Sequence, residues 1–483
     1  MSGSVQSYPP ARIRNVAFVG HGGVGKTALT EALLHAAGAI SRPGRVEDGS
    51  TVSDHEPEER NRRISLSTSM AVAEWAGHKL NLLDCPGYAD FAGEALAALS
   101  VADLAVFVVS AVDGVEAQTE ALWRAAARRG LPRMIFINKL DRERASFSRT
   151  LEQLRSTFGA GIAPLELPIG EEGAFRGVAD LLSDTAITYQ DGRPTTGPIP
   201  EEMEATEHEV HDNLVEGIVV ADDELMERYL DGEVPSVERL EKTLALGVAS
   251  AQVFPVIVGS ATAEVAVDRL ATFICEIGPS PLDRPPVLVT IPGHEHGNGT
   301  DPGTASAEVV ADPDGKPLVL VWKTVADRHV GRISMFKVLS GTIGVDTVLI
   351  NARTRADERL HTPFTLRGTE QLTVGHLVAG DLGAVSKLND VAVGDTFAPK
   401  GTPVSVIVTA PPEPVLAIGI RPHAAGDDDK LMTALHRLCE EDPSLAIRRD
   451  DETHQTLLVG MGATHLAVTV ERLARRFGVD VDT

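Results

Sequence analysis

The chain has 483 residues, a formal net charge of −25, 43% hydrophobic residues and three cysteines. That length holds about three domains of ordinary size, and the acidic balance excludes sequence-independent coating of nucleic acid, DNA included, which relies on Lys and Arg neutralising phosphates. No apolar run approaches the roughly 20 residues that cross a bilayer, and the N-terminus lacks a signal peptide's charged-then-apolar order. Cys85, Cys275 and Cys439 lie far apart without metal-ligand spacing, so a cytoplasmic chain with free thiols and no membrane partner is the expectation.

Residues 1–12 are polar and contain proline, and read as a flexible tail. The apolar run Val16-Ala17-Phe18-Val19 reads as a buried strand and Ala28 to Leu34 as a helix. Between them stands Gly20-His21-Gly22-Gly23-Val24-Gly25-Lys26-Thr27. Strand, glycine loop and helix in that order make a phosphate-binding loop. The glycines let successive N–H groups face one concavity, and the helix N-terminus adds its partial positive charge. Lys26 would reach the outer phosphates and the Thr27 hydroxyl would hold magnesium.

Residues 43 to 68 are charged and poor in apolar side chains, which suits a mobile switch loop. The strand Leu80 to Leu83 then closes on Asp84-Cys85-Pro86-Gly87. The Asp84 carboxylate would hold magnesium through a water, and the Gly87 N–H would meet the γ-phosphate. Loss of that phosphate would release the segment that follows. Arg60 to Arg63 and Arg124 to Arg129 are local basic stretches, the second read more plainly as a solvated helix face.

Asn138-Lys139-Leu140-Asp141 follows the strand Met134 to Ile137 and selects the base. A carboxylate at Asp141 accepts from guanine's ring N–H and exocyclic amine together, whereas adenine offers no such donor pair and would leave the charge unmatched. The Asn138 amide would tie the base-binding loops together, and the Lys139 stem would lie over the base. Gly259-Ser260-Ala261, after the strand Phe254 to Val258, adds a last base contact through Ser260 and Ala261. The expected ligands are GTP and GDP with Mg2+.

The alternation of strands and helices over 13–280 predicts a parallel sheet with helices on both faces, carrying an inserted subdomain at about 160–250. Residues 281–317, rich in Pro, Gly, Asp and His, read as a linker. The triplet His294-Glu295-His296 lies there, in a setting that argues against a metal site. Short alternating strands over 318–400 predict a β-barrel. After the break Ala410-Pro411-Pro412-Glu413-Pro414, residues 412–483 show β-α-β-β-α order, an α/β ferredoxin-like unit.

With these residues in hand, the chain resembles the translational GTPases of the elongation factor G family. The most specific stretches beyond the nucleotide motifs are Ala111-Val112-Asp113-Gly114-Val115-Glu116-Ala117-Gln118-Thr119-Glu120 and Pro279-Ser280-Pro281-Leu282-Asp283. Glu440-Glu441-Asp442-Pro443-Ser444-Leu445 and Gly460-Met461-Gly462-Ala463-Thr464-His465-Leu466 extend the likeness to the last unit. The resemblance implies GTP hydrolysis, the ribosome as partner and a monomer. The family continues with a fourth and fifth domain beyond the position of Thr483, so a truncated chain that moves transfer RNA poorly is expected.

Three departures stand out. Gly23 occupies the phosphate-loop position where the family has an aspartate that organises a monovalent cation. Arg62-Arg63-Ile64-Ser65-Leu66 replaces Arg-Gly-Ile-Thr-Ile in the first switch, with Ser65 keeping a hydroxyl for magnesium. Tyr88 stands where the family places the histidine that positions the attacking water, a pattern similar to the divergent type 2 subfamily. A histidine adds positive charge near neutral pH, whereas a tyrosine with a pKa of about 10 stays neutral. Slow hydrolysis is therefore expected, with Lys26, Gly87 and Tyr88 at the reacting phosphate and His21 as a candidate substitute. The alternative is a GTP-dependent ribosome-binding switch, a regulatory, rescue or protection factor, without translocase activity.

Overall fold

The computed structural model describes residues 3–483 apart from 191, 220, 221, 232, 234, 292–304, 328–330, 389, 402 and 425. The elements of its first part are β1 (Ile13–Val19), α1 (Lys26–Ala36), α2 (Pro57–Arg62), β2 (Ser69–Trp75), β3 (His78–Asp84), α3 (Ala92–Val101), β4 (Leu104–Ser110), α4 (Ala117–Arg128), β5 (Arg133–Asn138), α5 (Phe147–Phe158) and β6 (Ile162–Pro164). The chain then leaves the sheet for β7 (Glu166–Ile169), β8 (Gly177–Asp180), β9 (Thr185–Gln190), β10 (Arg193–Gly197), α6 (Glu204–Val219), α7 (Asp223–Leu230) and α8 (Val237–Ala249). It returns with β11 (Phe254–Val258) and α9 (Val267–Glu276).

The main sheet has seven strands in the order β2-β3-β1-β4-β5-β11-β6. The edge pair β2–β3 is antiparallel, and the other neighbours run parallel. Strands β1, β3, β4, β5 and β11 are buried along their whole length, which is why β4, β5 and β11 read as largely apolar runs without alternation, while β1 and β3 also bury polar side chains such as Asn15, Lys79 and Asn81. In such a sheet ligands gather beyond the carboxyl ends of the strands. The ends of β1, β3, β5 and β11 are where the four motifs begin. The mixed strand-and-helix layering expected from the sequence is therefore the observed fold class.

The insertion forms its own four-stranded sheet, β10-β9-β8-β7, beside α6 to α8. Arg269 of α9 holds it to the main sheet, bonding the buried Glu166 at 3.1 Å and Asp180.

Beyond residue 316 an eight-stranded antiparallel sheet gathers Val319, Val321, Phe336, Val338, Leu349, Leu360, Leu372 and Phe397 into a second core. The last unit has strands Ala446–Arg449, Thr456–Gly460, Leu416–Pro422 and Val481–Asp482 in that spatial order. With them go α10 (Asp428–Glu441) and α11 (Ala463–Arg472), the latter prolonged by a π-helical turn, Leu473–Phe477. Leu431, Leu435 and Leu438 of α10 and Leu466 of α11 share a core with Ile420 and Leu458 of the sheet.

Two stretches differ from expectation. Residues 3–12 are not a loose tail: Val5 is buried in the second core and its N–H bonds Thr373 O at 3.0 Å, while Ser7 Oγ donates to His376 O at 2.9 Å. A lone valine among polar residues gives no periodic signal, so its docking onto a strand edge is invisible locally. The stretch read as a linker contains two strands, Val287–Ile291 and Ala305–Val309, paired with each other and, through the first of them, with Ser405–Val406. The triplet His294, Glu295 and His296 lies outside the described residues. Among the described residues no helix is long and apolar enough to cross a membrane.

Candidate functional site

The phosphate loop passes from β1 into α1 with Gly20, Gly23 and Gly25 at positive φ. At Gly25 (φ +98°) a Cβ would sit 2.4 Å from Asn138 Nδ2, so only glycine allows the loop to approach the base-binding segment. Lys26 is buried, and its Nζ donates to Gly20 O at 3.0 Å and His21 O at 2.7 Å. Burial pulls this ammonium down to about 8. Gly87 is pressed against the same loop: a Cβ there would lie 2.4 Å from Lys26 Nζ and 2.7 Å from Gly22 N.

Asp84 ends β3 with both carboxylate oxygens buried and without a hydrogen-bond partner. Burial and the neighbouring Asp54 push it up to about 7, while the Thr27 hydroxyl and Lys26 act the other way. Thr27 Oγ1 and Ser65 Oγ lie 3.1 Å apart, so the three residues expected at magnesium come together. A buried carboxylate with free lone pairs beside two hydroxyls is an all-oxygen donor set that fits a hard divalent cation. Among the described residues no group of three or more His, Cys, Asp or Glu is placed to hold a metal.

Asn138 joins three motifs: its Nδ2 donates to Val24 O and its Oδ1 accepts from Ala261 N, both at 2.9 Å. Lys139 adopts a left-handed conformation (φ 67°) and stands 3.9 Å from Asp113. Asp141 Oδ1 is buried without a partner, while its Oδ2 lies 3.6 Å from Arg142 Nε. Ser260 is fully buried, and its Oγ accepts from Ala263 N at 3.2 Å.

Tyr88 is 43% exposed, and its ring lies against the phosphate loop: a Cβ on Gly22 would be 2.8 Å from Tyr88 Cζ. Gly23, at φ +80°, has open space where a side chain would begin. His21 is turned to α4. Its Nε2 is 3.4 Å from Glu116 and its backbone N–H reaches Thr119 Oγ1 at 3.2 Å, while Nδ1 is buried and unpartnered.

The first switch follows a fixed path, which its charged composition did not suggest. Glu31 of α1 accepts from Val52 N at 2.6 Å and Gly44 N at 2.7 Å. Glu59 of α2 accepts from Leu66 N, Ser67 N and Glu56 N at 3.0–3.2 Å. Burial raises Glu59 to about 8. Sequence reading missed both clamps, because their partners are backbone amides and carry no residue-type signal. It also missed Ser53 and Asp54, which stand buried beside Asp84.

The last unit grips both switches. Asp90, just after Tyr88, accepts from the N–H of Thr464 at 2.9 Å and thereby caps α11. Arg475 donates to Glu58 at 2.6 and 3.0 Å and to Glu56 at 2.6 Å, and Arg62 pairs with Glu471 at 2.5 and 2.6 Å. Leu66, Phe91 and Val468 form a small apolar cluster between them.

Comparison with known proteins agrees with this architecture. Residues 11–280 match the model of the elongation factor Tu GTP binding domain, 316–400 that of elongation factor G domain 2, and 411–483 that of elongation factor G domain III. The chain is 36% identical over 479 residues to elongation factor G 1 of Geobacter sulfurreducens, covering 98% of this chain and 68% of that protein. It is 38% identical over 493 residues to an elongation factor G-like protein of Mycobacterium tuberculosis, covering 98% and 67%. A crystal structure of a Thermus thermophilus protein superposes with a TM-score of 0.86 at 35% identity, over 98% of this chain and 67% of that one. The chain thus spans about two thirds of the length of these relatives.

Proposed function

The chain belongs to the elongation factor G family of translational GTPases, and from that premise we propose that it binds GTP with Mg2+ and hydrolyses it slowly while engaged with the ribosome in the cytoplasm. The observation that carries the reading is a set of buried, unpartnered carboxylate oxygens: both of Asp84 beneath the phosphate loop, and Oδ1 of the half-buried Asp141 at the base-binding end, whose Oδ2 lies 3.6 Å from Arg142 Nε. An uncompensated buried anion is costly, so each calls for a ligand of opposite character: a cation at one, a pair of N–H donors at the other. GTP with magnesium supplies both.

In this mechanism the loop amides and Lys26 take the β- and γ-phosphates, Thr27 and Ser65 offer hydroxyls to the metal, and Asp84 holds it directly or through water. When bound there, magnesium would supply positive charge against that of the phosphates. Lys26 leaves the Gly20 and His21 carbonyls when phosphate oxygens arrive, since an ammonium–phosphate bond is the stronger. The Gly87 N–H reads the γ-phosphate. Lys139 and Asn138 shape the base pocket, with Ser260 and Ala261 behind it. Tyr88 orients the attacking water as a neutral group and adds no positive charge to the transition state. His21, tied to Glu116, contributes little to the reacting phosphate.

A second reading, a GTP-dependent ribosome-binding switch with negligible turnover, is favoured by one feature: the Tyr88 ring lies on Gly22 rather than standing clear of the loop. GTP turnover by the chain, alone and with ribosomes, beside Tyr88→His decides between them. Strong ribosome stimulation of the unmodified chain supports the slow enzyme. Tight GTP binding with turnover only in the histidine variant supports the switch. Absence of GTP binding defeats both.

A further inference from the structure

Gly22 sits at the crest of the phosphate loop, and its backbone does not account for it. Gly20, Gly23 and Gly25 adopt positive φ and Gly22 does not, so an ordinary residue could take up its conformation. What glycine supplies here is room. A Cβ on Gly22 would lie 2.8, 2.9 and 3.1 Å from Cζ, Cε2 and Cε1 of Tyr88. The notch left by the missing side chain is filled by the outer edge of that one ring. The main chain on either side of Tyr88 is held. Gly87 is pressed on the loop, where a Cβ would lie 2.6 Å from His21 O and 2.7 Å from Gly22 N. Phe91 N donates to Tyr88 O at 3.0 Å, Phe91 packs with Leu66 and Val468, and Asp90 accepts from Thr464 N at 2.9 Å. The Tyr88 side chain itself is 43% exposed, and what it rests on is Gly22.

We propose that Gly22 is a positioning residue for GTP hydrolysis: its missing side chain seats the Tyr88 phenol over the loop, next to the Gly87 amide that meets the γ-phosphate. This inference rests on the reading of the chain as a slow GTPase in which Tyr88 orients the water. On that reading the seat is the working pose of the ring and not a resting place. The phenol oxygen accepts a hydrogen bond from the attacking water. The water oxygen bonds the γ-phosphorus, the bond to the bridging oxygen breaks with its electron pair leaving on GDP, and the water's proton passes to the released phosphate. A methyl group at position 22 displaces the ring and spares the loop, because the atoms it meets are the free end of a side chain. Misplacing a reacting group by about 1 Å is enough to slow a reaction by roughly 100-fold.

The test is single-turnover GTP hydrolysis by the full chain, alone and with ribosomes, for the wild type, Gly22→Ala, Tyr88→His and the double variant. GDP affinity is measured for each. A fluorine NMR spectrum of the chain labelled with 3-fluorotyrosine reports the seat directly, the Tyr88 signal among the four tyrosines being assigned with Tyr88→Phe. Gly22→Ala should shift the Tyr88 signal and slow hydrolysis roughly 10- to 100-fold, with GDP affinity unchanged. In the Tyr88→His background, where the shorter ring stops before the notch, Gly22→Ala should leave the rate alone. Weaker GDP binding in both backgrounds would make Gly22 part of the loop's own architecture and overturn the proposal. An unmoved Tyr88 signal or an unchanged rate would overturn it too. Faster hydrolysis in Gly22→Ala would make the seated ring a cover that keeps water out, the reverse of the proposal. If the wild type binds GTP without hydrolysing it in either condition, the slow-enzyme reading fails and the role in hydrolysis falls with it, while a shifted Tyr88 signal still upholds the seat.

Discussion

Asn138 is the residue on which the nucleotide pocket hangs, and its value is structural before it is chemical. Its amide satisfies a loop carbonyl with one end and a loop N–H with the other, both buried. Asn138→Ala leaves two buried backbone groups unpaired, each at a cost of about 1–3 kcal/mol. Urea unfolding should therefore show at least ~2 kcal/mol of lost stability without nucleotide; a loss within error would mean that water replaces the amide. Asp141 is the opposite case, a residue whose Oδ1 satisfies nothing in the protein. Asp141→Asn should barely change stability yet weaken GTP by roughly 10- to 100-fold, the worth of a charged hydrogen bond. It should also favour xanthosine triphosphate, whose edge presents an acceptor where guanine presents the amine. Equal GTP affinity in wild type and variant would remove Asp141 from the pocket. These residues were legible because fixed spacing after an apolar strand betrays a loop whose backbone does the binding. Glu31 and Glu59 were not, because a carboxylate whose partners are backbone amides looks like any surface acid in a charged stretch.

At the scale of elements, the first switch and α11 act as one assembly. Arg475 lies on the π-helical turn and reaches Glu58, whose side chain is 3% exposed. Arg475→Ala should cost about 2 kcal/mol by leaving that carboxylate unmatched, and should speed tryptic cleavage at Arg60 or Arg63. Unchanged cleavage would show that Glu31 and Glu59 alone hold the segment. Within the last unit, His465 Nδ1 accepts from Met461 N at 3.1 Å, so Nε2 carries the proton and donates to Asp442 at 2.8 Å. Burial alone would raise Asp442, but the hydrogen bond from His465 and the donors of Ser444 hold it below the ordinary value. A depressed carboxylate stabilises the fold fully above its unfolded pKa of about 3.9 and loses that contribution as pH falls through its lower folded value. The stability gap between wild type and Asp442→Asn should thus be wide at pH 6 and narrow by about pH 3. A gap independent of pH would remove the hydrogen bonds to the Asp442 carboxylate from the account. The long apolar strands and the β-α-β-β-α order were readable from periodicity, while the short closing strand Val481–Asp482 was not. The π-helical turn was absorbed into one long helix, since an extra residue per turn leaves an apolar pattern nearly intact.

Across the whole molecule, the GTPase unit and the barrel are joined by charges that no local reading could pair. Lys79 of β3 and Asp381 of the barrel are 1% and 2% exposed, with Nζ 2.8 Å from both carboxylate oxygens. Asn81 Nδ2 and Leu382 N add bonds at 3.0 and 2.9 Å to the same carboxylate. Beside it, Asn15 donates to Asp103 and Gly380 O at 2.6 Å, and Lys337 reaches back from the barrel to Asp103 at 2.6 Å. Every ion named in this seam is paired, and Asp381, Asp103 and Lys337 take further hydrogen bonds, the condition under which burial of charge is tolerated. Removing one partner is a different matter. Asp381→Ala strands the Lys79 ammonium and should cost about 3–5 kcal/mol, whereas Lys79→Met with Asp381→Leu should come close to wild type. The seam also predicts cooperativity, because a barrel bonded this way cannot melt without exposing the β3 face of the GTPase unit. Calorimetry should find the two units unfolding together in the wild type and in the Met–Leu double variant, and in separate transitions in Asp381→Ala. Two transitions in the wild type would mean that the seam orients the units without coupling their stability.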